Sequence, residues 1–112
     1  MTIAPITDGH ALVVPREAVN HWIDMPPQLS AHVFDVARRV GLAQRKIFKT
    51  SRVGLVIAGF EVHHCHLHCI PADEMGDLNF ARQQKDYPAD RLAAAASRLA
   101  AQLREDGVPG AL

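Results

Sequence analysis

Val62-His63-His64-Cys65-His66-Leu67-His68-Cys69-Ile70-Pro71 is the stretch from which the rest of the chain is best understood. Side chains on an extended strand alternate between its two faces, so residues two apart share one. As a strand, the stretch puts His64, His66 and His68 on one side and Cys65, Leu67 and Cys69 on the other. One face is then apolar and suited to pack under a helix. The other carries chemistry.

Immediately upstream, Val53-Gly54-Leu55-Val56-Ile57-Ala58 is apolar at both parities, which predicts a strand covered on both faces and ended by Ala58-Gly59. Before it, Leu29, Val33, Val36, Val40, Ala43 and Ile47 are spaced alternately by four and three. That spacing lines one stripe of a helix over about residues 28–48, while Arg38, Arg39, Arg45 and Lys46 fall off the stripe. Asp24-Met25-Pro26-Pro27 predicts the helix entry, with an acidic cap and prolines in the first turn. Further upstream, the turn pair Asp8-Gly9 precedes His10-Ala11-Leu12-Val13-Val14-Pro15, a short β-branched run closed by proline and read as a strand.

Downstream, residues 72–84 are polar and irregular. A second helix is expected over about residues 88–104, with Leu92, Ala96, Leu99 and Leu103 on one side and Gly107 near its end. Strand, long helix, strand, strand, loop and helix predict an α+β fold with an antiparallel sheet, in a single domain spanning residues 1–112. The sheet is small for its helices. A second copy of the chain is therefore expected to complete it, or one face stays partly open.

With 112 residues, 48% of them hydrophobic, the chain has a globular composition and suffices for one modest core. Twelve Lys and Arg balance twelve Asp and Glu, so net charge gives no reason to expect a nucleic-acid polymer or an anionic membrane as partner. Cys65 and Cys69, four apart on a strand, would be separated by about 13 Å, too far for a disulfide, whose Cα atoms lie within about 7 Å. Reduced thiols, no long apolar run and no leader pattern after Met1 lead us to expect a soluble cytoplasmic protein.

Three alternating histidines among the seven in the chain are hard to explain by packing, because every buried imidazole needs partners. Imidazoles on one strand face can share a zinc ion. Yet residues two apart are separated by roughly 6.6 Å at Cα, so the outer pair would need a further ligand such as His10, and both cysteines point away. The stronger reading is reaction at phosphorus. A neutral imidazole attacks with one ring nitrogen while a hydrogen bond to the other fixes its tautomer. Neighbouring imidazoles donate to phosphate oxygens, and their crowding disfavours charging them all. His66, with a histidine on each side, suits the nucleophile.

The run His64-Cys65-His66-Leu67-His68-Cys69-Ile70, with Ala58-Gly59 before it and Pro71 after it, resembles the signature of the histidine triad (HIT) family. Gly9-His10-Ala11-Leu12-Val13-Val14-Pro15-Arg16 resembles that family's "G-H-x-L-V-x-P-K/R" segment. Both motifs stand in the right order and at the right distance, and the similarity covers about residues 3–80. The resemblance implies a HIT-like α+β fold and a homodimer whose two sheets join. It also implies hydrolysis or transfer of a nucleoside monophosphate group through a nucleotidyl-histidine, without a metal or other cofactor in the chemistry. By the same resemblance His66 is the nucleophile, His64 supports and orients it, and His68 contacts the phosphate and leaving group. His10 lies close to the triad. Thr2 and Arg16 are carried over as candidate substrate contacts, Arg16 also reading as a solvated charge at a strand end.

The chain differs from the family pattern at several points. It starts where members are already in their second or third strand. Thr2 stands about where an acidic residue holds the ribose hydroxyls, Phe60 where a glutamine follows Ala-Gly, and Glu61 where a small hydroxyl residue is common. Arg52-Val53-Gly54 offers no asparagine. Two functions follow. The first is a nucleotide hydrolase or transferase acting on a nucleoside phosphoramidate or related nucleotidyl compound. The alternative is a non-catalytic nucleotide-binding or interaction protein on the same fold, and a histidine-cluster metal-binding protein ranks below both. Of the remaining residues, Trp22 is expected to pack on the long helix and His21, His32 and His63 to lie at the surface. Phe60 suits either the phosphate loop or a dimer interface.

Overall fold

In the computed structural model, which describes residues 1–110, three antiparallel strands lie in the order β1-β3-β2. β1 is Ala11–Val13, β2 is Arg52–Val56 and β3 is Leu67–Ala72. The central strand pairs on one side through Ala11↔Cys69, Leu12↔His68 and Val13↔Leu67. On the other it pairs from Arg52↔Ala72 to Val56↔His68. All six residues of β3 are buried, as an apolar strand with neighbours on both edges should be.

Helix α1 (Pro27–Phe48) lies across this sheet. Its expected stripe holds: Val33, Val40 and Ala43 are buried with Ala37 beside them, and they share one core with Leu67 and Cys69. Burial of an aliphatic side chain such as Leu67 stabilises by about 1.5–3 kcal/mol. Helix α2 (Ala89–Glu105) packs on α1 through a face centred on Ala95 and Leu99. The helix entry differs from expectation. Pro26 is the cap residue and no side chain caps the end, because Asp24 closes a separate short 3-10 turn, Trp22–Asp24.

Two further expectations are corrected. The histidine stretch is a strand from Leu67 onward, and residues 62–66 are irregular. The cause lies in the partners. β1 ends at Val13 and β2 at Val56, so no ladder is offered to the residues before Leu67. Pro15 lacks an N–H, and Gly59 turns the chain away with φ of 83°. β2 is also not covered on both faces. It is an edge strand in which Leu55 is 47% exposed.

The segment after β3 is locally organised. A 3-10 turn, Met75–Leu78, is closed by reciprocal bonds between Glu74 and Asp77. A second, Phe80–Arg82, is capped by the Asn79 side chain accepting from the Ala81 N–H. No helix among the described residues is long and apolar enough to cross a membrane.

Candidate active site

Three histidine rings, those of His10, His66 and His68, meet where β1 runs beside the start of β3. His64 adds its main-chain carbonyl, and the hydrogen bonds determine where the protons sit. His10 is fully buried. Its Nδ1 accepts the Ile6 N–H at 3.1 Å, so the ring's hydrogen is on Nε2. That Nε2 lies 2.9 Å from Nδ1 of His68, which must therefore be the acceptor. A neutral His68 then carries its hydrogen on Nε2, on the side of the ring away from His10.

His66 is fixed the opposite way round. Its Nδ1 is 2.7 Å from the His64 carbonyl, and a carbonyl can only accept, so Nδ1 holds the hydrogen. Nε2 is left with a free lone pair. His66 and His68 meet edge to face with ring centroids 4.9 Å apart. The core of the site is thus a bare nitrogen beside an N–H.

His64 contributes differently from the sequence expectation. The three imidazoles do not project from one strand face, since two of them precede the strand. The His64 ring donates its Nε2–H to the Pro15 carbonyl at 2.8 Å, and its main-chain carbonyl orients His66. The Cys65 N–H, bonded to the Val19 carbonyl at 2.7 Å, pins this irregular turn. Cys65 and Cys69 are buried free thiols. Burial raises both above the ordinary thiol range, Cys69 to about 11, which makes them poor nucleophiles.

Electrostatics agree with a neutral pair. Burial, then the neighbouring His68 and the terminal ammonium, lower His10 to about 4. Burial and the adjacent His66 lower His68 to about 4. Both rings are uncharged at neutral pH.

His66 and His68 line an open cleft of about 470 Å³, whose walls include Thr2, Leu12, Phe60, Glu61 and Phe80. That volume lies within the range of small-molecule sites. Thr2 is therefore brought to the histidines, whereas Arg16 is exposed and is not among the cleft residues. Among the described residues, the cleft wall contains no Lys or Arg and one carboxylate, Glu61. A smaller cleft of about 240 Å³ adjoins the other side of His66, between Trp22, His21 and His63. Trp22 meets Phe34 of α1 edge-on at 6.3 Å, as expected. Among the described residues, no group of three or more His, Cys, Asp or Glu is arranged to hold a metal ion.

Two residues of the site carried no role in the sequence reading, although the segment 75–80 could be expected to approach it. Phe80 stands edge-on against His68, with centroids 4.8 Å apart. It comes from a polar segment whose periodicity assigns it to no element. Gln44 is fully buried behind the site and follows the apolar Ala43 on α1. Its signal was weak, a neutral polar residue beside the core stripe.

The HIT domain family model matches residues 1–75. A bis(5'-nucleosyl)-tetraphosphatase (asymmetrical) of Schizosaccharomyces pombe is 36% identical over 95 residues, covering 77% of this chain and 52% of that protein. A HIT-like protein of Borreliella burgdorferi is 30% identical over 92 residues, covering 76% of this chain and 66% of that protein. The chain thus spans between about half and two thirds of the length of these curated relatives. Among solved structures, a zinc-bound histidine triad family protein of Mycobacterium smegmatis superposes with a TM-score of 0.73 and 26% identity. That match covers 96% of this chain and 78% of the other.

Proposed function

Since the chain belongs to the HIT domain family, we propose that it is a nucleotide-binding hydrolase or transferase that cleaves a nucleoside phosphoramidate or related nucleotidyl substrate through a nucleotidyl-histidine. The observation that carries this reading is the pair of opposed tautomers, a bare Nε2 on His66 beside an Nε2–H on His68. In this mechanism Nε2 of His66 forms a bond to phosphorus as the bond to the leaving group breaks. The leaving group takes a proton from solvent in the open cleft. Positive charge develops on the His66 ring, and its Nδ1–H to the His64 carbonyl stabilises it. Water then adds to phosphorus, loses a proton to solvent, and His66 departs with its lone pair restored.

His68 serves as a hydrogen-bond donor to a phosphoryl oxygen. A neutral imidazole does not surrender its remaining proton near neutral pH, so its contribution is binding of developing charge. His10 fixes the tautomer that makes this donation available. Thr2, on the cleft wall, is the residue assigned to the nucleoside in this reading.

The lack of Lys and Arg among the described residues of the cleft, together with Glu61, favours a substrate with one phosphoryl group over a polyphosphate chain, whose charges would stand uncompensated. We further propose a cytosolic homodimer formed along the free edge of β2, where Leu55 is exposed. A monomeric mass by light scattering at micromolar concentration would overturn that assembly.

The test is turnover of an adenosine phosphoramidate by the wild type and by His66→Ala. The expected loss is roughly a thousand-fold or more, with an alkali-quenched wild type gaining the mass of one nucleoside monophosphoryl group, since the P–N bond survives base and not acid. Equal turnover in both would refute the reading. Binding of a nucleoside monophosphate without turnover would point to the non-catalytic alternative.

A further inference from the structure

Behind the histidines, the Gln44 side chain reaches from α1 to two strands at once. Its Nε2 is 2.9 Å from the Gly9 carbonyl and 2.9 Å from the Cys69 carbonyl, and the residue is fully buried. The orientation of the amide is settled by these partners, because a flipped group would set an oxygen against two carbonyl oxygens. Its Oε1 makes no hydrogen bond to protein. A buried amide that uses both hydrogens and leaves its oxygen unpaired is more costly than an apolar residue there. Helix packing does not explain it.

The two carbonyls flank the paired rings. Gly9 immediately precedes His10, and Cys69 immediately follows His68. The β1–β3 ladder ends at Ala11↔Cys69, so His10 lies just beyond it, and Gly9 leaves the strand with φ of 85°. The main chain at Gly9–His10 is therefore held outside the sheet, the His10 N–H donating to the Thr7 carbonyl at 3.3 Å and the His10 carbonyl accepting the Thr2 N–H at a long 3.4 Å. The Thr7 hydroxyl ties the far side of the turn to the Pro71 carbonyl at 2.6 Å. Gln44 ties the near side, at the peptide that carries His10.

We propose that Gln44 is a positioning residue: clamped between Gly9 and Cys69, it holds the segments bearing His10 and His68 in the one arrangement that keeps the His68 proton on Nε2, facing the cleft. His68 accepts on Nδ1 only while His10 Nε2 remains within hydrogen-bond reach, and loss of the clamp frees the turn to move that ring away. The consequence for turnover rests on the function proposed above. The consequence for the tautomer does not.

The experiment compares the wild type, Gln44→Met and Leu99→Ala, the last a core truncation on α2 that lowers stability without touching the clamp. Long-range proton–nitrogen spectra of 15N-labelled protein distinguish the bare from the protonated nitrogen of each imidazole. In the wild type and Leu99→Ala, His68 is expected as the Nε2–H tautomer alone. In folded Gln44→Met it is expected as a mixture, with kcat on adenosine phosphoramidate about ten-fold lower and KM little changed. Should Gln44→Met not fold, Gln44→Asn replaces it, an amide one methylene shorter that must release at least one carbonyl. A pure Nε2–H tautomer in either folded variant would overturn the proposal. So would failure of both to fold while Leu99→Ala folds, since that marks a structural role alone. A shifted tautomer in a protein whose wild type shows no turnover would sustain the clamp and refute the proposed activity.

Discussion

His10 Nε2 and His68 Nδ1 lie 2.9 Å apart across 58 residues of sequence, with both rings buried. The contact is formed by two neutral imidazoles in opposite roles, one donating and one accepting. A second proton on His68 breaks it, and one on His10 breaks instead the bond that His10 Nδ1 accepts from the Ile6 N–H.

That relationship sets a pH dependence of stability. In the unfolded chain both histidines titrate near 6.5, and in the folded chain near 4. Between those values the unfolded state binds more protons, so stability rises with pH through this window. It is fully present above about pH 6.5 and is lost as pH falls toward 4. The expected loss from pH 7.5 to 4.5 is on the order of 5 kcal/mol for the pair, read from urea midpoints. His10→Asn should flatten the slope, and equal midpoints at both pH values would contradict it.

Phe80 packs edge-on against this pair, 4.8 Å from His68 and 6.3 Å from His10 by ring centroids. Phe80→Ala should admit water to His68 and raise its proton affinity toward the ordinary histidine range, because burial is the main cause of the depression. NMR titration of His68 reads the shift. The stability cost is expected at about 1 kcal/mol. An unmoved titration midpoint would show that Phe80 does not provide the cover.

Gly9 has no tolerance for a side chain. Its φ is 85°, a conformation that L-residues rarely adopt, and an added Cβ would overlap the Phe48 ring. Gly9→Ala should cost upward of about 2 kcal/mol from backbone strain and overpacking together. It should also disturb the His10–His68 bond. Chemical denaturation checks the first expectation and imidazole spectra the second.

Both thiols should be silent in the native state. Cys65 and Cys69 are 2% exposed and their ionisation is suppressed by burial. A thiol-specific chromogenic reagent at pH 8 is expected to titrate neither before unfolding and both after it. Fast reaction of the native protein would contradict the packing of this face.

Much of the fold was legible because hydrophobic period is local. The four-and-three spacing from Leu29 to Ile47 specifies a helix stripe whatever it packs on, and the core finds Val33, Val40 and Ala43 where that stripe puts them. The apolar parity of Cys65, Leu67 and Cys69 survives too, since all three are buried, although Cys65 lies outside any strand. The start of β3 was not legible. A ladder needs partners, and where β1 and β2 end depends on Pro15 and Gly59 acting on other parts of the chain.

The histidine stretch follows the same division. Sequence by itself determined that imidazoles at positions 64, 66 and 68 alternate with core residues, and with the segment around His10 it identified the family. Only the tertiary structure decided which nitrogen of each ring carries the proton, because a tautomer depends on which donor or acceptor the folded backbone sets against each nitrogen. Ile6 and His68 on either side of His10 make that choice. The His64 carbonyl makes it for His66, and the buried amide of Gln44 stands behind the pair. Residue pattern supplies the groups, and the hydrogen-bond partners that the fold sets against them, some adjacent and some remote in sequence, assign their roles.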